Sequence, residues 1–134
     1  MQVFLPYSDL NDSVVCLDPK RLGNQVYREC KTLIGGGWAS HPASIMWRPY
    51  KAALIRYALF GLDELERRGL SYPQHRAFFE SLFPQPEVSP PWLGDERLHR
   101  SHRSALLRKD PVWYSQFGWS EPPDLPYFWP KQTA

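Results

Sequence analysis

The chain has 134 residues, 43% hydrophobic content and a formal net charge of only +2, values that are typical of one globular domain with its own core. Its 2 cysteines, Cys16 and Cys30, belong to no CxxC pair or Cys/His cluster, which excludes a zinc-binding module of the usual spacing. No apolar run is long enough to span a membrane and no signal-peptide pattern opens the chain, so we expect a soluble, intracellular protein with reduced cysteines and no membrane partner.

The first segment, residues 1–17, is expected to be an extended or turn-rich lead-in whose aromatic residues pack onto the body. A helix then begins at Pro19 and continues to about Ile34. Asp18 can cap its free backbone N–H groups, and proline suits the first helical position. The glycine run 35–37 ends this helix with a conformationally permissive link.

One face of this helix carries polar side chains in a row, because Arg21, Gln25 and Glu29 are spaced by four residues. Arg28 lies beside that row. A separate apolar stripe that can dock the helix consists of Leu22, Val26, Cys30 and Leu33. The polar row has two interpretations: a site for an anionic, hydrogen-bonding substrate, or a solvated face of the kind that most surface helices carry.

The rest of the chain shows further helical patterns and no strand pattern. We expect one or two helical turns within 38–47, a long helix from near Pro49 to Arg68, a shorter helix from Pro73 to about Phe83, a proline-broken connector at 84–91, and a helix from Asp95 to about Lys109. An aromatic segment at 112–117 and a proline-rich, extended tail at 121–130 follow. The sequence therefore predicts an all-α fold, compact and single-domain over residues 1–134, with long proline-rich coil segments.

His41 follows the glycine run and has two interpretations. It could orient a phosphate or transfer a proton, or it could cap the next helical turn. Four tryptophans could stack on nucleic-acid bases, although core packing is the more common role for this residue. They are Trp38, Trp47, Trp113 and Trp119.

The helix that ends at Lys109 is strongly basic. Its cationic and histidine side chains are Arg97, His99, Arg100, His102, Arg103, Arg108 and Lys109. Arg100, Arg103 and Ser104 share one side, where guanidinium and hydroxyl groups could grip successive phosphates. The alternative is a solvated basic face.

Several enzyme classes are disfavoured because their motifs are absent from the chain. It contains no GxSxG, no P-loop and no HExxH. Paired carboxylates at metal-site spacing do not accompany the arginine-rich helices, which argues against a metal-dependent nuclease. We therefore expect no metal and no other cofactor.

Short motifs follow one another in a defined order along the chain. They are Phe4-Leu5-Pro6-Tyr7, Arg21-Leu22-Gly23-Asn24-Gln25, Tyr27-Arg28-Glu29, His41-Pro42-Ala43 with Met46-Trp47, and Ser101-His102-Arg103-Ser104 with Lys109-Asp110-Pro111 and Tyr114. In this order and spacing they resemble the pyrimidine-dimer DNA glycosylase family, the phage-type UV endonucleases and their phage and bacterial relatives. The resemblance extends over residues 4–117.

The resemblance implies an all-α, cofactor-free enzyme that acts on double-stranded DNA with a damaged or modified pyrimidine. In that family the N-terminal α-amine attacks C1′, a Schiff base forms, and β-elimination cuts the strand. Glu29 matches the essential glutamate, and Met1 would supply the amine. DNA contacts are expected from Arg21, Gln25, Arg28, His41, Arg100 and Arg103. We expect a monomer in the cytoplasm of a bacterial cell or a phage-infected host.

The chain departs from the family pattern at two positions. Gln2 is too bulky for removal of Met1, whereas the characterised enzymes expose the amine of a small residue. Thr32 stands where those enzymes carry a further arginine, so the target base stays open. Two alternatives remain: a DNA-binding module that kept the fold and lost the lyase nucleophile, and an enzyme on free nucleotides that uses the same Arg/Glu pocket.

Overall fold

A computed structural model describes residues 2–83 and 85–130. Its helices are α1 (Leu10–Val15), α2 (Pro19–Asn24), a π-helical segment (Gln25–Cys30), α3 (Lys31–Ile34), α4 (Pro42–Trp47), α5 (Lys51–Arg67), α6 (Pro73–Glu80), α7 (Glu96–Lys109) and α8 (Pro111–Tyr114), with 3-10 turns at Arg48–Tyr50 and Ser115–Phe117. No strand forms in either described range, so the predicted all-α class is confirmed. None of the helices in these ranges is long and apolar enough to cross a membrane.

The prediction that residues 1–17 contain no helix is wrong at α1. Asp9 caps this helix by accepting the backbone N–H of Asp12 at 2.9 Å. Val14 anchors the helix to the core, where its side chain is fully buried. At 6 residues α1 makes fewer than two turns, too few for a helical hydrophobic period to stand out in the sequence.

The predicted helix from Pro19 to Ile34 is confirmed as α2, the π-helical segment and α3 in direct succession. Asp18 caps α2 as expected, accepting from the N–H of Arg21. From Gln25 to Cys30 the turns are wider, because backbone hydrogen bonds there join residues five apart instead of four. The predicted apolar stripe is buried along its whole length: Leu22, Val26, Cys30 and Leu33.

Helix α5 packs against α1 and the π-helical segment and forms much of the core. Gly61 permits the close approach, because a Cβ atom at this position would clash with Cγ2 of Val26. The predicted start near Pro49 corresponds to a 3-10 turn that leads directly into α5. This packing fixes the π-helical segment, and with it Glu29, relative to the core.

The tail lies along α7 without forming a helix, as its prolines and aromatic residues predict. The N–H of Phe128 donates to Ser101 Oγ at 3.1 Å, and that of Leu125 donates to Ser104 Oγ at 3.0 Å. The Ser104 hydroxyl in turn donates to the carbonyl oxygen of Pro122. Both serines therefore secure the tail.

Candidate active site

Histidines of α7 hold the backbone of Leu5, in the extended N-terminal segment 2–6. The N–H of Leu5 donates to His102 Nδ1 at 2.8 Å, and His99 Nδ1 lies 2.7 Å from the carbonyl oxygen of Leu5. His99 Nε2 accepts the N–H of Gly94 at 2.9 Å, so its proton is on Nδ1 and is donated to Leu5. Both backbone groups of Leu5 are thus satisfied by imidazoles.

Burial keeps the His102 ring neutral. The side chain is fully buried, and this desolvation lowers the pKa of His102 to about 3. Since Nδ1 accepts a hydrogen bond, the proton is on Nε2, which is buried with no partner among the described residues. The sequence suggested that the two histidines belong to a basic surface. In the structure they are buried and bind backbone N–H and carbonyl groups.

Gln25 holds the same segment one step closer to the N-terminus. Its Oε1 accepts the N–H of Phe4 at 2.8 Å, and its Nε2 donates to the carbonyl oxygen of Gln2 at 2.8 Å. The Tyr57 hydroxyl donates to the carbonyl oxygen of Phe4 at 2.8 Å. The amide of Gln25, which the sequence placed among the DNA contacts, is therefore buried and engaged with the protein's own backbone.

A cleft of about 290 Å³ opens where the N-terminal segment meets the polar side of the π-helical segment. Its walls also include the end of α7 and the tail. The lining residues are Gln2, Phe4, Arg21, Asn24, Gln25, Glu29, Lys109 and Tyr127. The predicted row Arg21–Gln25–Glu29 therefore faces one common space, together with groups that the four-residue spacing did not reveal.

Glu29 is the unusual group in this cleft. One of its carboxylate oxygens, Oε2, is buried and has no hydrogen-bond partner in the described part of the chain. Burial raises the pKa of Glu29 above its ordinary value, although the positive charges of the N-terminus and Arg28 oppose the rise. An unpartnered, desolvated carboxylate in a cleft is a typical feature of functional sites, because such a group is costly for stability alone.

The π-helical segment explains why Asn24 joins the site. Residues five apart share a face of a π turn, so Asn24 and Glu29 line the same cleft. Lys109 and Tyr127 are further lining residues that sequence reasoning missed. For Lys109 the signal was its place in the basic helix, whereas nothing in the local pattern pointed to Tyr127.

The two arginines between Pro19 and Ile34, Arg21 and Arg28, are placed differently. Arg21 lines the cleft and forms an ion pair with Asp18 at 3.2 Å. Arg28 is exposed outside the lining, next to Glu29 in the chain. Arg21 is therefore a cation in the wall of the cleft, and Arg28 adds positive charge to the surroundings of Glu29.

Arg103, which was predicted to bind phosphate from one face of α7, is bound to other groups of the protein. Its guanidinium forms ion pairs with Glu121 at 3.0 Å and with Glu96, and it donates to the carbonyl oxygen of Pro6 at 2.7 Å. Only 12% of this side chain is exposed, against 54% for Arg100, which lies 3.7 Å from Glu121. Arg103 therefore connects the tail to the N-terminal segment, because carboxylates distant in sequence neutralise it.

His41 caps α4. Its Nδ1 accepts the N–H of Ala43 at 3.0 Å, so the capping alternative describes its place in the fold. Burial lowers the pKa of His41 below its ordinary value. Its ring contacts Trp129 edge-on, with the centroids 5.7 Å apart.

Met1, the expected nucleophile, lies outside the described residues. Cys16 and Cys30 are free and buried, and burial raises the pKa of Cys16 to about 12. Within residues 2–83 and 85–130 no group of three or more His, Cys, Asp or Glu side chains is arranged to hold a metal ion.

A second cleft, of about 310 Å³, lies between α1, α5 and the connector before α7. Most of its lining is apolar, and its charged members, Arg56 and Glu87, are exposed and paired with each other. It contains no buried titratable side chain. The cleft around Glu29 is therefore the stronger candidate for chemistry.

Comparison with protein families gives one match that covers more than half of the chain. The family described as pyrimidine dimer DNA glycosylase matches residues 1–80. This range contains the N-terminal segment, Glu29 and His41, and it ends before α7. Comparisons with curated proteins and with solved structures gave no match.

Proposed function

The chain belongs to the pyrimidine dimer DNA glycosylase family, and from that premise we propose that it excises a damaged or modified pyrimidine from duplex DNA at the Glu29 cleft. The observation that carries this assignment is the Glu29 carboxylate, whose buried Oε2 has no partner among the described residues, in a cleft that the hydrogen-bonded N-terminal segment also lines. We further propose that the α-amine of Met1 is the nucleophile and that an AP-lyase step follows base release.

The fixed path of residues 2–6 supports a nucleophile at residue 1. Gln2 lines the cleft, and its carbonyl oxygen is held by Gln25. Covalent geometry puts the preceding Cα only about 3.8 Å from that of Gln2. An α-amine has a pKa of about 8, so a large fraction of it is neutral and nucleophilic at physiological pH.

In the proposed reaction the neutral amine of Met1 attacks C1′ of the damaged nucleotide. The bond between C1′ and the base breaks, and its electron pair leaves with the base, which takes up a proton. The Glu29 carboxylate stabilises the positive charge that develops on the sugar as this bond weakens. A carboxylate with a raised pKa is also suited to carry a proton from the amine to the ring oxygen as the sugar opens to the Schiff base.

Strand cleavage would follow from the Schiff base. A proton is lost from C2′, the bond between C3′ and its oxygen breaks, and the 3′-phosphate leaves with the bonding electrons. Arg21 and Lys109, which line the cleft, and the exposed Arg28 are proposed to bind the flanking phosphates. Arg100 is exposed enough to add a contact, whereas Gln25 and His41 are proposed to position the segment and α4.

The test is a panel of duplex oligonucleotides that carry UV photoproducts, abasic sites or modified pyrimidines. Base excision is read as strand cleavage after alkali, and lyase activity as cleavage without alkali. Borohydride should trap a covalent protein–DNA adduct at residue 1, located by peptide mapping. Absence of excision on every substrate would contradict the glycosylase assignment, and an adduct at a lysine would contradict the role of Met1.

A second candidate function is a DNA-binding module of the same fold without lyase activity. The observation that favours it is Gln2, because its bulk opposes removal of Met1 and the terminus then differs from that of the characterised enzymes. Intact mass measurement shows whether Met1 is retained. Tight binding to damaged duplexes, with neither excision nor a borohydride adduct, would favour this candidate.

A further inference from the structure

Gln2 lines the cleft that holds Glu29, yet this residue is only 5% exposed. The oxygen of its side-chain amide, Oε1, accepts the N–H of Val3 at 3.0 Å. Because only the oxygen of an amide can accept, this hydrogen bond identifies the other atom as Nε2, which carries two N–H donors. That nitrogen is buried and has no hydrogen-bond partner among the described residues.

A free donor at this position is not explained by the stability of the fold. A buried N–H group without an acceptor is unfavourable, because it has lost its hydrogen bonds to water. An apolar side chain of similar length, such as methionine, would fill the same space without this cost. Polar groups placed at a concave site and left unpaired by the protein are typical of groups that bind a ligand.

The backbone that carries this amide is fixed by its neighbours. Gln25 Nε2 donates to the carbonyl oxygen of Gln2 at 2.8 Å, and Gln25 Oε1 accepts the N–H of Phe4 at 2.8 Å. The Tyr57 hydroxyl donates to the carbonyl oxygen of Phe4 at 2.8 Å. Since the backbone and the amide oxygen of Gln2 are both held, the direction of its N–H groups is set within the protein. Donors that are oriented in advance are the most effective at stabilising charge in a transition state.

The cleft is thus lined by two residues that each have a buried atom without a partner, and the two atoms are opposite in character. Nε2 of Gln2 is a donor, whereas Oε2 of Glu29 is an acceptor. A reacting group that suits both develops negative charge on one side and positive charge on the other. Breaking the bond between C1′ and a pyrimidine has this effect, because the sugar becomes positive and the departing base becomes negative, with part of its charge on O2.

The two ends of this charge pattern are accessible from one side of the duplex. Pyrimidine O2 is a hydrogen-bond acceptor at the minor-groove edge of the base pair. It is bonded to the ring carbon next to the nitrogen that carries C1′, so O2 and C1′ are close neighbours. A protein surface on the minor-groove side can therefore contact the sugar and O2 together.

We propose that Gln2 is a further catalytic residue, whose Nε2 donates a hydrogen bond to O2 of the departing pyrimidine. This inference rests on the proposed function. As the bond between C1′ and the base breaks, its electron pair passes to the base, and the hydrogen bond stabilises the share of negative charge on O2. The amide keeps its own protons, and Glu29 stabilises the positive sugar on the other side of the breaking bond.

The test compares base release with Schiff-base formation in Gln2→Met, which removes the donor and, being bulky, still opposes removal of Met1. On a duplex that the wild type excises, the single-turnover rate of base release should fall by about 100-fold, the effect of losing one donor to a transition-state oxygen. On a duplex with a preformed abasic site no base departs, so the rate of borohydride trapping should change much less. Gln74→Met, at an exposed position of α6, should match the wild type in both assays.

Gln2→Glu serves as a second variant, because its carboxylate can still accept the N–H of Val3 while the donor is lost; base release should again be slower than trapping. Circular dichroism checks that each variant is folded, and intact mass checks that Met1 is retained. Unchanged base release in Gln2→Met would overturn the inference alone. Equal losses in the two assays would also overturn it, since residue 2 would then only position the amine. Absence of excision by the wild type would reject the proposed function, and this inference with it.

Discussion

The backbone N–H of Leu5 donates to His102 Nδ1 at 2.8 Å, across 97 positions of the sequence. Only an unprotonated Nδ1 can accept this hydrogen bond. The position of the N-terminal segment beside Glu29 therefore depends on the uncharged state of a buried residue in α7.

Replacing His102 with alanine should lower the free energy of unfolding by about 2–4 kcal/mol, because the Leu5 N–H loses its acceptor and a buried void opens. Urea denaturation at pH 7 measures the loss. The control is His75→Ala, since His75 is partly exposed on α6 and stacks on Tyr27; about 1 kcal/mol or less is expected there. Equal losses in the two variants would contradict the structural role of His102.

The burial of His102 also predicts a pH dependence of stability. Its pKa is about 3 in the folded protein against an ordinary value of 6.5, so between these pH values the unfolded state binds more protons. The stabilisation is complete above about pH 6.5 and is lost as the pH falls toward 3, at a slope approaching about 1.4 kcal/mol per pH unit. Between pH 6 and 4 the slope of His102→Gln should be shallower by about this amount. Parallel curves for the two proteins would show that His102 does not carry the effect.

Local sequence signals predicted the helix from Pro19 to Ile34 well, because its cap, its apolar stripe and the glycine run after it agree with one another. They also brought Arg21 and Glu29 to one face. The wider π turn, which adds Asn24 to that face, left no trace in a pattern counted by fours. It is recognised only from the backbone hydrogen bonds.

Long-range contacts explain the remaining differences. Gln25 was expected to face a ligand, but its partners Phe4 and Tyr57 are distant in the sequence. Arg103 was expected to face phosphates, but Glu121 neutralises it from the tail. A helical wheel shows which side chains share a face; it does not show which other segment covers that face.

DNA binding should depend on salt through the cations at the cleft. Arg28→Gln and Lys109→Gln should each reduce the slope of log affinity against log salt concentration by about 0.9, the value for one lost phosphate contact. Arg103→Gln should leave this slope unchanged and reduce stability instead, because its partners are internal. Fluorescence anisotropy over a salt series gives the slopes. A lower slope in an Arg103→Gln protein that is fully folded would return Arg103 to the DNA interface.

Base excision should continue in EDTA. The proposed chemistry uses an amine and a carboxylate, and neither step requires a Lewis acid. The measurement is the single-turnover excision rate before and after dialysis against EDTA, with added Mg²⁺ as the second arm. A rate that disappears in EDTA and returns with Mg²⁺ would contradict the amine mechanism.

The most direct test of the account is the single-turnover rate of base release by Glu29→Gln. Glutamine keeps the shape of the side chain but removes its charge and its ability to carry a proton. The rate should fall by about 100-fold or more, while DNA affinity is unchanged or slightly increased, because a negative charge facing the phosphates is removed. Glu80→Gln, at an exposed position of α6, should retain the wild-type rate. A folded Glu29→Gln protein that releases the base at a near-normal rate would contradict the assignment of Glu29 as the catalytic carboxylate.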